Sequence, residues 1–259
     1  MDTNEVCVVT RIGPGRLWEL DLWAESLERL GLPRSKTRIV VGDNSGDAAT
    51  RDRIMGILGG GGWNEWALLI DKGYNCNKFT ERPEEHSYHQ ARLLSRLVRA
   101  SMTTPYILSL DTDTLAPTAE ELGGLSAYQL LKSRMLDDVA VVGTPVPSRW
   151  SGQLAAYTVD SIEPWGKMKR VSIKRPGIVE EVHSFGTCLT LWRGDLLRKY
   201  EFKGEPNIQA KCQQGLEWYT YKMFMLDGFR LLLDWAIRPR HYKTPNEYGQ
   251  VGHDIGAET

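Results

Sequence analysis

The first 113 residues of the chain alternate between short apolar runs and segments with helical periodicity. Residues 6–10, 38–41, 66–70 and 106–110 are apolar enough to form buried strands, and leucine and tryptophan recur at helical spacing after the first of them. Glycine and proline at positions 31–33 would end that helix. Because parallel strands must be joined by crossovers, the alternation predicts an α/β fold with a mostly parallel sheet and helices on both faces.

The second half of the chain has a less regular pattern. A stretch over residues 144–182 contains several prolines and little periodicity, and its length favours a functional flap over a plain connector. We therefore expect a smaller, mixed region after the parallel half. The remaining periodicity predicts helices over 119–134 and 215–226, and strands over 139–142, 183–192, 229–233 and 235–237.

The composition is ordinary for a globular protein and excludes several classes. With 41% hydrophobic residues, 25% charged residues and a net charge of −1, nothing global points to nucleic acid or an anionic membrane. The four cysteines lie far apart without a CxxC pair, which favours buried thiols in a reducing compartment. The acidic, polar N-terminus does not resemble a signal peptide, and no apolar run approaches the roughly 20 residues of a transmembrane segment. We therefore expect a cytoplasmic protein.

Two aspartates, Asp111 and Asp113, directly follow the apolar run at residues 106–110. In open α/β sheets ligands bind beyond the carboxyl ends of the strands, so both carboxylates are placed where a ligand would lie. Carboxylate oxygens are the ligands that Mg²⁺ or Mn²⁺ prefers, and such an ion also takes phosphate oxygens. The triplet could instead be an ordinary acidic turn, but its position behind three strand–helix units favours a metal site that faces a diphosphate.

Four segments of the chain carry a known pattern: Val8-Val9-Thr10; residues 40–47; Leu108-Ser109-Leu110-Asp111-Thr112-Asp113; and Gly215-Leu216-Glu217-Trp218-Tyr219, followed by Gly228-Phe229-Arg230 and Arg240-His241-Tyr242. Together they resemble the GT-A-fold glycosyltransferases, especially the family 2-like group. The resemblance spans most of residues 6–242, and it implies a Rossmann-like sheet that binds a nucleotide-sugar. The last segment is the most specific, because it keeps three elements at a fairly constant separation.

The resemblance implies which residues would bind the donor nucleotide. Thr10 ends the strand that lies by the base, Asp43 would contact the base or the ribose, and Arg92 would be the basic residue near the nucleotide. A solvated helix face is an equal alternative for Arg92. Asp111 would contact the donor as well, facing either the diphosphate or the ribose. The chain departs from the family at Gly42, where an acidic residue is usual.

The resemblance also implies a metal site and a general base. Asp111, Asp113 and His241 would bind Mn²⁺ or Mg²⁺, although His241 could instead be a surface residue of a basic tail. Glu217 falls at the position of the catalytic aspartate and would deprotonate the acceptor hydroxyl, which favours an inverting reaction. The alternative for Glu217 is a carboxylate that favours the dipole at the start of a helix. The family's paired acids are replaced here by Leu216 and Glu217.

The acceptor side is implied by the resemblance at residues 183–187 and at the residue after Glu217. Ser184 and Gly186 would let a sugar approach the backbone, with a core strand as the alternative, and Trp218 would contact the acceptor. The proline-containing stretch holds a basic run that is either a solvated hairpin or a grip on a diphosphate or an anionic acceptor. Its cations are Lys167, Lys169, Arg170, Lys174 and Arg175, flanked by Trp150 and Trp165.

The sequence thus predicts a single GT-A-like domain over residues 1–259, with a nucleotide-sugar half at 1–113 and an acceptor and catalytic half at 114–259. The expected reaction is metal-assisted transfer from a UDP-linked sugar to a hydroxyl of a glycan, a lipid-linked or small-molecule acceptor, or a modified nucleic acid. One alternative is a sugar-nucleotide nucleotidyltransferase, for which residues 11–16 form a poor phosphate loop. The other is a non-catalytic carbohydrate- or nucleotide-binding relative.

Overall fold

The structure, a computed structural model, describes residues 4–71, 83–147, 153–162, 166–202 and 217–249, with the backbone alone described for 83–89 and 248–249. In the first half, strands and helices alternate as the sequence predicts. The elements are β1 (Val6–Ile12), α1 (Glu19–Arg29), a 3₁₀ turn (Arg34–Lys36), β2 (Thr37–Asp43), α2 (Ala48–Gly60), β3 (Glu65–Ile70), α3 (Pro83–Ala100) and β4 (Tyr106–Leu110).

The second half contains shorter elements. They are β5 (Thr114–Leu115), α4 (Ala127–Ser133), β6 (Val139–Gly143), β7 (Ala156–Val159), β8 (Met168–Arg170), β9 (Val179–Val182), β10 (Ser184–Phe185), β11 (Leu189–Arg193), α5 (Gly194–Tyr200), α6 (Trp218–Leu226), β12 (Arg230–Asp234), β13 (Arg240–Thr244) and β14 (Glu247–Gly249). The stretch at 144–182 is therefore largely built from strands β7, β8 and β9 in its described part.

Eight strands form one sheet in the order β3-β2-β1-β4-β11-β6-β12-β9. The first four are parallel to one another. Strand β11 runs antiparallel to both β4 and β6, β12 is parallel to β6, and β9 is antiparallel to β12. Two three-stranded sheets, β10-β7-β8 and β14-β13-β5, lie beside it. The predicted fold class, a mostly parallel sheet with a smaller mixed region, is confirmed.

The core lies on both faces of the large sheet. Along β1, Cys7 and Val9 join one apolar cluster while Val8 and Ile12 join the other, as the alternation of strand side chains requires. Helices α3, α5 and α6 contribute to the first cluster, and α1, α2 and α4 contribute to the second. The prediction of helices on both faces of the sheet is therefore confirmed. The large sheet lies between these two layers of helices, which fix the positions of its strands.

The helix predicted over residues 119–134 is shorter in the structure, because α4 begins only at Ala127. Ser126 caps it: its hydroxyl accepts from the amide of Gln129, whose side chain in turn accepts from the amide of Ser126. Before the cap, Gly123 and Gly124 have φ angles of 74° and 105°, which a helix cannot contain. The leucines at helical spacing before Ser126 belong to turns.

Other boundaries also differ from the sequence prediction. The strand predicted over 183–192 is divided into β10 and β11, and helix α5, which follows β11 directly, was missed. Residues 235–237, predicted as a strand, form a turn in which the side chain of Asp234 accepts from the amide of Ala236 (2.9 Å). The helix predicted from residue 215 begins at Trp218 in the described part, and residues 215–216 lie outside it.

Of the four cysteines, Cys7 and Cys188 lie in the described part and both are buried. Burial raises the pKa of the Cys7 thiol to about 12, so this group stays protonated and unreactive. Cys76 and Cys212 lie outside the described residues. No helix in the described ranges is both long and apolar enough to cross a membrane.

Candidate active site

The carboxyl ends of the parallel strands meet at one edge of the large sheet. Ile12, Asp43 and Ile70 occupy the same level of neighbouring strands, and β4 on the other side of β1 runs into Asp111. Asp111 is half-buried, and its amide donates to the carbonyl of Cys188 (2.8 Å). Residues predicted from separate strands are thus brought to the edge where an open α/β sheet binds its ligands.

Asp113 and His241 lie in direct contact. Strand β13 pairs with β5 so that His241 stands opposite Thr114, and the amide of Tyr242 donates to the carbonyl of Asp113 (2.8 Å). This pairing brings Nε2 of His241 to 3.2 Å from Oδ2 of Asp113, and both side chains are buried. The sequence predicted these two residues as metal ligands from a resemblance, and the structure places them side by side.

The hydrogen bond of Nδ1 of His241 determines whether Nε2 presents a proton or a lone pair to Asp113. Nδ1 lies 3.0 Å from the carbonyl oxygen of Pro147, which can only accept, so Nδ1 must donate. In a neutral imidazole, Nε2 would then direct a lone pair at a carboxylate oxygen. Two such acceptors at this distance repel each other unless the imidazole is protonated or a cation lies between them. The arrangement of these two side chains therefore suits either a proton on Nε2 or a cation between them.

A divalent ion fits this donor set. Two neighbouring ligands of an octahedral ion with bonds of about 2.1 Å are roughly 3 Å apart, close to the 3.2 Å between Nε2 of His241 and Oδ2 of Asp113. Within the described ranges, no three side chains of His, Cys, Asp or Glu come together as a metal site. Mg²⁺-type ions usually keep one or two protein ligands and take substrate phosphates and water for the rest. The pair, with Asp111 nearby in the same loop, suits an ion that arrives with a diphosphate.

The loop at residues 111–113, here called the aspartate loop, is held by one face of helix α1. Glu19 accepts a hydrogen bond from the hydroxyl of Thr112, the residue between the two aspartates. One turn further, Trp23 donates to Thr10 Oγ1 (3.1 Å), which itself donates to the carbonyl that ends β4 (2.9 Å). Ser26 donates to the carbonyl of Thr114 (2.6 Å). Positions i, i+4 and i+7 of a helix share a face, so this face fixes the loop by hydrogen bonds.

The residues predicted to bind the nucleotide are placed at this edge with partners of their own. The hydroxyl of Thr10 is buried and used in the two bonds above, so it is not available to a base. Asp43 is buried, accepts from the amide (2.8 Å) and the hydroxyl (2.6 Å) of Ser45, and pairs with Arg51 (3.4 Å). Arg92 is exposed and lies 3.7 Å from Asp71, the residue that follows β3.

Glu217 stands at the start of α6, and its side chain makes no capping hydrogen bond. The alternative, a carboxylate that favours the dipole at the start of a helix, needs no such bond and agrees with this position. The pKa of Glu217 is raised to about 7: burial raises it most, a hydrogen bond from its own backbone amide and the charge of Arg11 lower it, and the charge of Asp111 raises it. These couplings place Glu217 beside the aspartate loop, although more than a hundred residues separate them in the chain. A carboxyl with this pKa is suited to exchanging protons near neutral pH.

Arg11, which the sequence does not predict as a site residue, acts on Glu217 through its charge. It follows Thr10 on β1, and its guanidinium donates to the side chain of Gln90 (2.7 Å). Its charge lowers the pKa of Glu217. In the sequence, the only signal for Arg11 is a cation at the end of the first strand, within the poor phosphate loop at residues 11–16.

The predicted acceptor residues surround a small sheet next to Glu217. Ser184 is buried in β10, and a side chain on Gly186 would lie 3.3 Å from Val146, so the backbone packs closely there. Trp218 contacts the ring of Tyr157 with centroids 6.1 Å apart. Tyr157 was not predicted. Trp150 and Trp165 lie outside the described residues.

The chain matches no protein-family model and no curated protein sequence. It does match solved structures of glycosyltransferases. A mannosyltransferase from Pyrobaculum calidifontis in complex with GDP-Man and Mn²⁺ is 13% identical, with a TM-score of 0.55 over 90% of this chain and 57% of that one. GalNAc-T7 with UDP, GalNAc and Mn²⁺ is 13% identical, with a TM-score of 0.61 over 93% of this chain and 44% of that one.

TarS from S. aureus in complex with UDP-GlcNAc is also 13% identical, with a TM-score of 0.52 over 88% of this chain and 55% of that one. The chain thus spans about half the length of these three structures. At such identities the likeness concerns the fold alone. The protein therefore has the GT-A fold that these glycosyltransferases share.

Proposed function

We propose that the protein is a metal-dependent glycosyltransferase that moves a sugar from a nucleotide-sugar to an acceptor hydroxyl. The observation that carries the proposal is the position of Glu217. In a GT-A fold, a carboxyl with a pKa of about 7 lies close enough to Asp111 and Arg11, both at the edge where the strands end, for their charges to act on it. A carbohydrate-binding relative would have no need of a carboxyl tuned in this way.

The chain's own residues would each have a defined part in the reaction. Asp113 and His241, with Asp111, would hold Mn²⁺ or Mg²⁺ against the donor. When bound, the ion would neutralise the charge that develops on the departing diphosphate. Glu217 would accept the proton of the acceptor hydroxyl as its oxygen attacks the anomeric carbon. A single displacement of this kind inverts the anomeric configuration, so we propose an inverting reaction.

The donor would lie along the strand ends. Asp43 and the main chain at Thr10 would contact the base and ribose, with Arg92 nearby on α3. We propose a UDP-linked sugar, because GalNAc-T7 and TarS were solved with UDP or a UDP-sugar, although the mannosyltransferase holds GDP-Man. The acceptor would be a hydroxyl of a glycan, a lipid-linked or small molecule, or a modified nucleic acid, approaching Ser184, Gly186 and Trp218.

A donor screen tests the proposal. The melting temperature of the protein is measured with UDP-, GDP- and dTDP-sugars, each with and without Mn²⁺, and slow hydrolysis of the stabilising donor is then followed. We expect Mn²⁺-dependent stabilisation by one nucleotide class and release of its diphosphate. Donor binding without any turnover would favour a binding protein. Release of pyrophosphate from a nucleoside triphosphate and a sugar phosphate would favour a nucleotidyltransferase.

The pH dependence of turnover should follow the carboxyl of Glu217. A general base must be deprotonated, so kcat/KM for donor hydrolysis should rise about tenfold per pH unit below pH 7 and level off above it. In Arg11→Gln the cation that lowers this pKa is gone, so the inflection should move to higher pH. An inflection that stays near pH 4.5, or does not move in Arg11→Gln, would contradict the assignment of Glu217.

The contact between Glu19 and Thr112 should affect metal binding. Thr112→Val removes the hydroxyl that donates to the buried Glu19 carboxylate, so the aspartate loop loses a restraint. We expect Mn²⁺ affinity, measured by calorimetry, to fall by about tenfold or more. Thr190→Val is the matched control, because this buried hydroxyl has no hydrogen-bond partner among the described residues. Equal Mn²⁺ affinities in the two variants would contradict a positioning role for Glu19.

A further inference from the structure

A row of three side chains crosses the small sheet β10-β7-β8. Ser184 pairs with Tyr157, and Tyr157 pairs with Arg170, so the three residues stand directly opposite one another on neighbouring strands. Residues opposite each other in antiparallel strands project from the same face. Ser184 is buried, Tyr157 is half-buried and Arg170 is exposed. The row therefore leads from the interior to the solvent.

The row begins close to the candidate base. Trp218 follows Glu217 in the chain, and its ring lies 6.1 Å from the ring of Tyr157 at an interplanar angle of 49°. The guanidinium of Arg170 lies over the other end of this pair, 5.6 Å from the centre of the Tyr157 ring. Aromatic rings of this kind offer apolar faces to the CH groups of a sugar. An acceptor with its hydroxyl at Glu217 would thus extend over Trp218 and Tyr157 towards Arg170.

Arg170 is oriented by neutral groups. Its guanidinium donates to the side chain of Gln153 and, over 3.4 Å, to the hydroxyl of Tyr157. Within the described ranges no carboxylate lies within 4 Å of it, whereas arginines elsewhere, such as Arg134 and Arg230, pair with aspartates. Neutral partners fix the direction of a guanidinium without cancelling its charge. An arginine held in this way is prepared for an anionic ligand, which its planar fork binds through two parallel bonds.

The surroundings of Arg170 strengthen the positive potential. Lys167 and Lys169 are exposed on the same hairpin. Asp160, an acid of this hairpin, turns one carboxylate oxygen to the main-chain nitrogen of Lys167 (2.8 Å). Lys174 lies beyond the hairpin and is 3.8 Å from Glu180. Lys167 and Lys169 therefore add positive charge to the hairpin, although Lys169 alternates with Arg170 and projects from the other face of β8.

We propose that the acceptor carries a phosphate group, which Arg170 binds while the body of the acceptor lies on Tyr157 and Trp218. The proposal rests on the proposed function, because it makes the row the acceptor side of the same site. It narrows the acceptor classes to those with a phosphate beside the reacting hydroxyl. A sugar phosphate and a nucleotide both supply this chemistry.

Binding of matched pairs of small molecules tests the proposal without requiring turnover. Calorimetry on the full chain, with UDP and Mn²⁺ present to fill the donor side, compares glucose with glucose 6-phosphate and thymidine with thymidine 5′-monophosphate. We expect the phosphorylated member of at least one pair to bind about tenfold more tightly or better. Arg170→Gln should abolish the preference, while Arg175→Gln, which removes an equally exposed charge outside the row, should retain it.

The two kinds of failure are distinguishable. Equal binding of both members of both pairs, or a preference that survives Arg170→Gln, would overturn the phosphate subsite. A wild-type protein that binds neither UDP nor Mn²⁺ would overturn the proposed transferase, and the comparison of wild type with Arg170→Gln can still be made without them. The pair with the larger preference shows whether the phosphate belongs to a sugar phosphate or to a nucleotide.

Discussion

Glu217→Gln is expected to lower kcat by about a hundredfold to ten-thousandfold, the range that a general base contributes. Glutamine has nearly the same shape but cannot accept the acceptor proton, so donor and Mn²⁺ binding should be unchanged. Single-turnover kinetics with the donor found in the screen, together with calorimetry for donor affinity, separate these two effects. Unchanged turnover in Glu217→Gln would contradict the assignment of Glu217 as the general base.

The same variant should be more stable than the wild type at pH 8. The ordinary pKa of the group is 4.5 and its folded value is about 7, so between these values the folded protein holds a proton that the unfolded chain has lost. The free energy of unfolding therefore falls as the pH rises through this window. Glutamine has no proton to lose, so we expect a gain of about 1 to 3 kcal/mol at pH 8 and none at pH 4. Urea unfolding at both pH values measures it.

Asp113→Asn should remove the dependence on Mn²⁺ and lower kcat/KM by roughly a thousandfold, because an ion at a diphosphate supplies several kcal/mol of charge stabilisation. The amide is a weaker ligand than the carboxylate, and it leaves His241 without its charged neighbour. Mn²⁺ should no longer raise the melting temperature of the variant. His241→Gln should show the same loss if the two side chains share one ion.

Glu121→Gln provides the matched control for this experiment. Glu121 forms an ion pair with Arg240 (2.9 Å), the residue before His241, so the variant disturbs the same strand without touching the aspartate loop. We expect it to cost at most about 1 kcal/mol and to keep its response to Mn²⁺. A wild-type protein that remains fully active with a chelator, or an Asp113→Asn variant with an intact Mn²⁺ response, would contradict the metal site.

The sequence predicted the parallel half of the fold because each strand and helix there has its own periodicity. The second half was predicted less well. Helix α5 is only seven residues long and follows β11 without a break, and β5 is two residues long and exists through its pairing with β13. Such elements depend on tertiary contacts that a local pattern does not contain.

In the candidate site, too, some residues could be predicted from the sequence and others could not. Asp111, Asp113, Glu217 and His241 were predicted because their motifs resemble a family, and the structure brings Asp113 to His241 and Glu217 to Asp111. Glu19 has the sequence features of any acid in the first turn of a helix, and only the packing of α1 shows that it faces Thr112. In the sequence, Arg170 is one of several cations in a basic run. Only the strand register shows that it, and not a neighbouring lysine, stands opposite Tyr157.

The contact between Asp113 and His241 also bears on how firmly the hairpin β13–β14 is attached to the rest of the protein. These residues lie more than a hundred positions apart in the chain, and β13 is joined to β5 by two residue pairs. An ion shared by the two side chains would act as a reversible cross-link that fastens the hairpin β13–β14 to the body of the protein. A ligand that binds only the closed hairpin makes its opening less favourable. The concentration of the ion would therefore determine how rapidly a protease cleaves this hairpin.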